Sequence, residues 1–277
     1  MPFPYNLSHS NAMRHPAAND TALSESKDFY DRQYTSDQYA SVESHGQIGP
    51  FIRAFISAHG LDDKKVLEIG CGRGVYQDYV SDYTGVDLAD SAAQFLHKPF
   101  HQASATALPF ADNSFDAAWS IYVLEHIPDP ELALREIRRV IKPGGFLFLA
   151  PAWQCRSWAA GGYAVRPYSD FGLGGKLIKA SIPIRNSIVF RSAFLFPGRV
   201  YRLLKSMATG KPTTFHHSTL TPNYDICWTS DSDAINVMDP HDAILWFRTR
   251  QDKILHPATP LAAFLFRTGH LVIQIQK

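Results

Sequence analysis

Apolar positions along the chain follow two rhythms. Phe51, Ile52, Phe55 and Ile56 repeat at helical spacing, with Pro50 at the start and Gly60 at the stop, which predicts an amphipathic helix. From Lys65 onward, short apolar runs take over. Val66-Leu67-Glu68-Ile69 ends in Gly70-Cys71-Gly72-Arg73-Gly74, Tyr83 to Leu88 contains Asp87, and Phe115 to Ile121 is a third run. Asp129-Pro130 caps a helix with Leu134, Ile137 and Ile141 on one face, and Pro143-Gly144-Gly145 is expected to stop it. Gly145 to Ala150 reads as another strand. Strands separated by helices of this length predict an α/β fold, a mostly parallel sheet with helices on both faces.

Residues 153–222 break the alternation and are rich in aromatics, Gly and Pro. Regular structure is expected to return with a strand closing at Ile235–Val237, a helix over Asp242–Arg250 and a final strand over Leu271–Gln276. Residues 1–24 mix Asn, Ser, His, Ala and Pro without periodicity and read as a flexible tail. The expected organisation is a tail over 1–24 and a core with an N-terminal helical lid over 25–152. An insertion carrying the acceptor site follows over 153–222, and 223–277 closes the same domain. Phe29, Tyr30, Tyr34 and Tyr39 are placed to cover the mouth of a pocket.

Composition sharpens this picture at two points. With 277 residues, 45% apolar and 19% charged, the chain supports a buried core and excludes global disorder. The net charge of +1 conceals a strong asymmetry. Residues 1–150 hold 12 Lys and Arg against 19 Asp and Glu, whereas residues 151–220 hold 10 Lys and Arg against the single acid Asp170. Within that basic stretch, Val200, Leu203, Leu204 and Met207 share one helical face, and Arg199, Arg202 and Lys205 share the other. Such a helix suits an anionic membrane surface; the alternative is a lid helix that packs its apolar face on the domain.

Cys71, Cys155 and Cys227 form no CxxC pair and no metal-ligand spacing, so no metal is expected and the thiols read as reduced in a cytosolic protein. No basic region followed by an apolar stretch opens the chain, and no apolar run reaches about 18 residues. The expected location is cytoplasmic, with peripheral contact at the inner face of the membrane as an added expectation.

The chemistry centres on the glycine turn. A glycine turn lets backbone approach a ligand closely, and a following helix N-terminus would offer free N–H groups. S-Adenosylmethionine has a carboxylate to use those donors, an ammonium group for Glu68, and ribose hydroxyls for Asp87. Asp87 lies 17 residues beyond Gly70, the separation that one strand-turn-helix-strand unit gives. A dinucleotide site would want Gly or Ala at position 75, where this chain has Val75.

Residues 64–152 resemble the type 11 methyltransferase domain of the class I S-adenosylmethionine-dependent family. "VLEIGCGRG" is similar to its first motif and "TGVDLADS" to its second strand with the ribose-binding acid. "ATALPFADNSFDAAWSIYVLEHIPDPELALREIRRVIKPGGFLFLAPA" is similar to its adenine loop through its fifth strand. The resemblance implies a Rossmann-like seven-stranded, mostly parallel sheet with an antiparallel final strand, here with an aromatic and basic lid inserted between strands 5 and 6. It implies S-adenosylmethionine as cofactor and an adenine-contacting loop at Ser104, Ala105, Thr106 and Ala107. Ser104 stands where many relatives have Asp. The expected donor site is Glu68, Gly70, Cys71, Gly72, Asp87, Leu88, Ser104, Ala105, Thr106 and Tyr122.

The donor's sulfonium is already activated, so few catalytic residues are fixed by the chemistry. His126, in "VLEH", is the candidate to orient an acceptor or take its proton. Tyr34 and Tyr39 are candidates to close over the donor, and His216 and His217 to line the acceptor pocket. The acceptor is expected to be a small molecule or a glycan, lipid-linked in one version, with O-methylation favoured. The lipid-linked version draws on a similarity of residues 220–250 to methyltransferases found with bacterial surface-polysaccharide synthesis. A non-catalytic scaffold on the same fold is the alternative. An RNA methyltransferase fits less well, because Ser120-Ile121-Tyr122-Val123 stands where a base-amine methylase would carry D/N-P-P-Y.

Overall fold

Strand runs too short for a helix and apolar on both sides belong inside a covered parallel sheet, and the computed structural model has this arrangement. It describes residues 16–36, 48–225, 231–257 and 268–277. Helix α1 (Pro16–Gln33) precedes α2 (Gly49–His59), then β1 (Lys65–Ile69), β2 (Asp82–Asp87), β3 (Phe100–Gln102) and β4 (Phe115–Ile121). Helix α3 (Pro130–Val140) leads directly into β5 (Ile141–Ala150). Next come α4 (Leu173–Asn186), α5 (Ile188–Thr209) and β6 (His217–Thr219). The chain closes with β7 (Asn236–Met238), α6 (Pro240–Arg248), β8 (Lys253–His256) and β9 (Leu271–Gln274).

The main sheet has seven strands in the order β3-β2-β1-β4-β5-β9-β8. β1 to β5 pair in parallel, and β9 runs antiparallel to both β5 and β8. The pleat divides the core. Val66 and Trp119 pack with Ile52, Phe55 and Ile56 of α2 on one face, while Leu67 and Ile69 pack with Leu134 and Ile137 of α3 and with Trp246 of α6 on the other. Gly60, at φ 59°, ends α2 in the left-handed conformation, as expected from its place after the last apolar repeat. Asp129 caps α3 by accepting from Leu132 N.

Several expectations shift. Residues 16–24 are helical rather than part of a tail. Ala17, Ala18, Ala22 and Leu23 favour helix, and the chain beyond is docked by Phe29 and Tyr34, which are buried. Pro143-Gly144-Gly145 does not end α3, which stops at Val140; it lies inside β5. There the register with β4 slips between Phe115 and Ala117, and a Cβ on Gly145 would come within 2.6 Å of Asp116 O. The strand expected to close at Ile235–Val237 is β7, which pairs with β6 in a separate two-stranded sheet. No helix among the described residues is long and apolar enough to cross a membrane.

Candidate active site

The parallel sheet opens at the carboxyl ends of β1, β2 and β4, where a doubly wound fold forms its crevice. A cavity of about 540 Å³ sits there. Glu68, Gly70, Cys71 and Gly72 come to it from β1 and its turn, Asp87 and Leu88 from the end of β2. Ser104 and Ala105 follow β3, and Tyr122 and His126 follow β4. Ten of the eleven residues expected at the site therefore meet on one wall or another. Thr106 does not reach it; its hydroxyl and Ser104 Oγ lie 2.7 Å apart and its N–H donates to Ser104, which turns the loop back on itself.

The turn differs from the one expected. No α-helix follows β1; the chain takes tight turns and a single 3-10 turn at Gln77–Tyr79. Gly70 N and Cys71 N both donate to Val86 O, and Gly72 N donates to Asp87. The free donors anticipated for a ligand carboxylate are thus spent on β2 at positions 70 to 72. Gly70 itself is required: at φ 71°, a Cβ would lie 2.2 Å from Val123 Cγ2.

Asp87 is buried at the mouth of this turn. It accepts from Gly72 N at 2.9 Å, from Ala89 N at 2.9 Å and from Tyr34 Oη at 3.2 Å. Burial raises its carboxyl above the usual range, against the pull of those donors. Three of its four lone-pair directions are taken, one of them by a hydroxyl that can move. Glu68 is buried deeper and accepts from Tyr83 Oη at 2.5 Å. Burial pushes it up to about 8, and the charge of Asp87 adds to the rise. Burial also pushes the Cys71 thiol up, leaving it a neutral wall.

Helix α1 forms the roof. Leu23, Ser26, Phe29, Tyr30 and Tyr34 face the cavity, which places three of the four aromatics expected at the mouth; Tyr39 lies outside the described residues. Tyr30 Oη donates to Asp233 at 2.6 Å. Asp233 Oδ2 lies 3.3 Å from His126 Nδ1, and Glu125 Oε1 lies 3.9 Å from His126 Nε2. Burial works to lower the His126 pKa, but Asp233 and Glu125 outweigh it and raise it. Glu125 is itself pushed up to about 7 by burial. Asp231 and Asp233 were not singled out by sequence reasoning. Their one signal was a pair of acids, "DSD", in the segment between the basic stretch and β7.

His216 and His217 do not reach the cavity. His216 Nδ1 lies 4.0 Å from Asp242, and His217 sits in β6 with Nδ1 3.3 Å from Phe215 O. Between Trp153 and Leu220 no residue lines the cavity at all; Ser157, Ala160 and Gly161 instead flank a shallow depression on the opposite side of α1, beside Glu25 and Asp28. Cys227 lies outside the described residues. No cluster of His, Cys, Asp and Glu suited to a metal occurs among the described residues.

A family model described as a methyltransferase domain matches residues 67–149. Residues 67–149 form a class I S-adenosylmethionine-dependent methyltransferase domain. The methyltransferase core matches two curated relatives well. One is the 2-methyl-6-phytyl-1,4-hydroquinone methyltransferase of Synechocystis, 35% identical over 36% of this chain and 37% of that protein. Another is the ubiquinone biosynthesis O-methyltransferase of Idiomarina loihiensis, 32% identical over 42% of this chain and 54% of that protein. The chain thus spans between about a third and about half the length of these relatives. Among solved structures, an S-adenosylmethionine-dependent methyltransferase from Thermotoga maritima covers 91% of this chain and aligns over the whole of its own length, at 15% identity and a TM-score of 0.48. The methyltransferase core supplies the glycine turn, Asp87 and His126; the roof over them comes from α1 and the 231–233 segment outside the matched residues.

Proposed function

We propose that this protein transfers the methyl group of S-adenosylmethionine to a hydroxyl of a small, lipid-like acceptor. The observation that carries the reading is the charge of the cavity. Asp87, Asp231 and Asp233 line it against Arg73 and His126, and Glu68, which burial keeps mostly protonated at neutral pH, adds a further carboxyl group beside them. A wall so rich in carboxyl groups suits a sulfonium and an ammonium group and repels a pyrophosphate. Glu68 then faces the ammonium, Asp87 the ribose hydroxyls once Tyr34 yields its place, and Leu88, Ser104 and Ala105 the adenine. Arg73, which lies over the Phe95 ring, is the side chain assigned to the ligand's carboxylate.

Bound there, S-adenosylmethionine would supply an electrophilic methyl group for the acceptor oxygen, with S-adenosylhomocysteine as the other product. The chain's own task is to hold the acceptor oxygen in line, exclude water and receive the proton. In this reading the task falls to His126. Asp233 and Tyr30 fix its ring, and the carboxylates that raise its pKa make it a proton acceptor only above its ordinary value. The relatives named for a phytyl-hydroquinone and for ubiquinone biosynthesis support a lipid-like acceptor. A glycan hydroxyl on a lipid carrier is a narrower form of the same reading.

Titration calorimetry with S-adenosylmethionine tests the donor half. Asp87→Ala should weaken binding by about 1–3 kcal/mol, because it removes charged acceptors for the ribose. Unchanged affinity, or no binding by the native protein at high micromolar donor, overturns the reading. His126→Asn should leave donor binding intact and lower the rate of methyl transfer in a labelled-methyl assay.

A further inference from the structure

Helix α5 is folded with its faces reversed. Its sequence has an apolar side and a basic side, yet the two arginines of the basic side, Arg199 and Arg202, are turned inward, while Lys205 stays exposed. Arg199 and Ser206 are the residues it buries. Arg199 makes two bonds to Asp239, at 3.0 and 2.8 Å, and Arg202 Nε donates to Asp242 at 2.5 Å. The apolar side faces out: Val189 is 76% exposed, Phe194 70%, Tyr201 64%, Leu204 58% and Met207 72%. Helix α4, joined to α5 through Ser187, likewise buries no residue; Leu173 is 78% exposed, Leu177 58% and Ile184 63%. At the junction of the two helices, Ile188 is 81% exposed.

A soluble helix ordinarily buries the stripe that α5 displays. The arginines held on Asp239 and Asp242 fix the orientation, so the exposed stripe is built in. Its charge identifies what covers it. From Phe171 to Tyr224 the sequence contains no Asp or Glu. Lys176, Lys205 and Lys211 are exposed on or beside the same hairpin, with Arg185 near its tip. Apolar side chains flanked by lysines with no acid among them match an anionic lipid surface.

We propose that the α4–α5 hairpin docks on an anionic bilayer, its outward apolar stripe in the lipid interface and its lysines at the headgroups. The anchor differs from the one the sequence pattern suggests, since Arg199 and Arg202 serve the hairpin's attachment to α6 instead of the membrane. The inference stands on this surface and does not require that the cavity transfer a methyl group.

The test is co-sedimentation of the full chain with phosphatidylcholine vesicles, with and without phosphatidylglycerol. The phosphatidylglycerol vesicles should retain the protein at low salt and release much of it at high salt. Phe194→Asp combined with Leu204→Asp should reduce retention at least roughly tenfold, while circular dichroism and S-adenosylmethionine binding stay unchanged. Lys176→Gln with Lys205→Gln should reduce retention and flatten its salt dependence. Three results overturn the proposal: no retention on either vesicle, equal retention on both, or retention that survives the Asp pair. A self-associating protein, seen by analytical ultracentrifugation and dissolved by the Asp pair without any vesicle binding, would assign the surface to a second copy. Loss of donor binding in the native protein would overturn the proposed function and leave this inference standing.

Discussion

The sheet core and the α4–α5 hairpin treat the same residue types in opposite ways. In α3, Leu134 and Ile137 are wholly buried against the sheet while Arg135 points to solvent. In α5, Leu204 points to solvent while Arg199 is buried against α6. Both helices are amphipathic. The difference lies in what the neighbouring element offers. The sheet presents Leu147 and Ile273, which have no use for charge; the start of α6 presents Asp239 and Asp242, whose buried carboxylates demand cations. Amphipathy gives a helix two faces, and the receiving surface chooses between them.

The largest test of this contrast is Arg199→Met. It leaves the Asp239 carboxylate in place without its guanidinium, and should destabilise the fold by about 3–5 kcal/mol in urea unfolding. Pairing it with Asp239→Leu should recover much of the loss, because an apolar pair no longer strands a charge. A loss below about 1 kcal/mol for the single change would mean that the hairpin is not held by its arginines.

A second test probes the buried acid of the core. Glu68 sits at about 8 in the folded chain, above its ordinary value near 4.5, so the native state binds the extra proton between those limits. Stability should therefore fall as pH rises through that window. Glu68→Gln removes this dependence while keeping an acceptor for Tyr83, and its advantage over the native chain should grow from pH 4.5 to 8, by on the order of 3 kcal/mol. Parallel stability curves for the two proteins would refute the burial of an uncharged Glu68.

The smallest expected effect sharpens the comparison most directly. Leu204→Ala should change stability in solution by less than about 0.5 kcal/mol, whereas Leu134→Ala should lose about 2–5 kcal/mol. A large loss at Leu204 would show that its face is covered within the chain.

The donor half of the molecule was legible because its signals are local. The glycine turn, the acid at the end of the next strand and the Asp129 cap each lie within a few residues of the structure they cause. β3 escaped notice because it is a three-residue edge strand, half exposed, with no apolar run to mark it. Pro143-Gly144-Gly145 misled because the same residues stop a helix and shape a bulge. Thr106 fell outside the site because Ser104 found a partner two residues away. His216 and His217 stood in an aromatic stretch that suggested a pocket, but β6 carries them to the small sheet beside α6.

By itself the sequence determined the parallel sheet, the carboxyl-end crevice and the acids that line its floor, since apolar periodicity and turn chemistry act over short spans. Tertiary structure alone decided that Asp233 reaches His126 across more than a hundred residues and that α5 turns its arginines inward. Those outcomes depend on which buried carboxylates and rings meet in space, and a pattern along one segment carries no record of its partners.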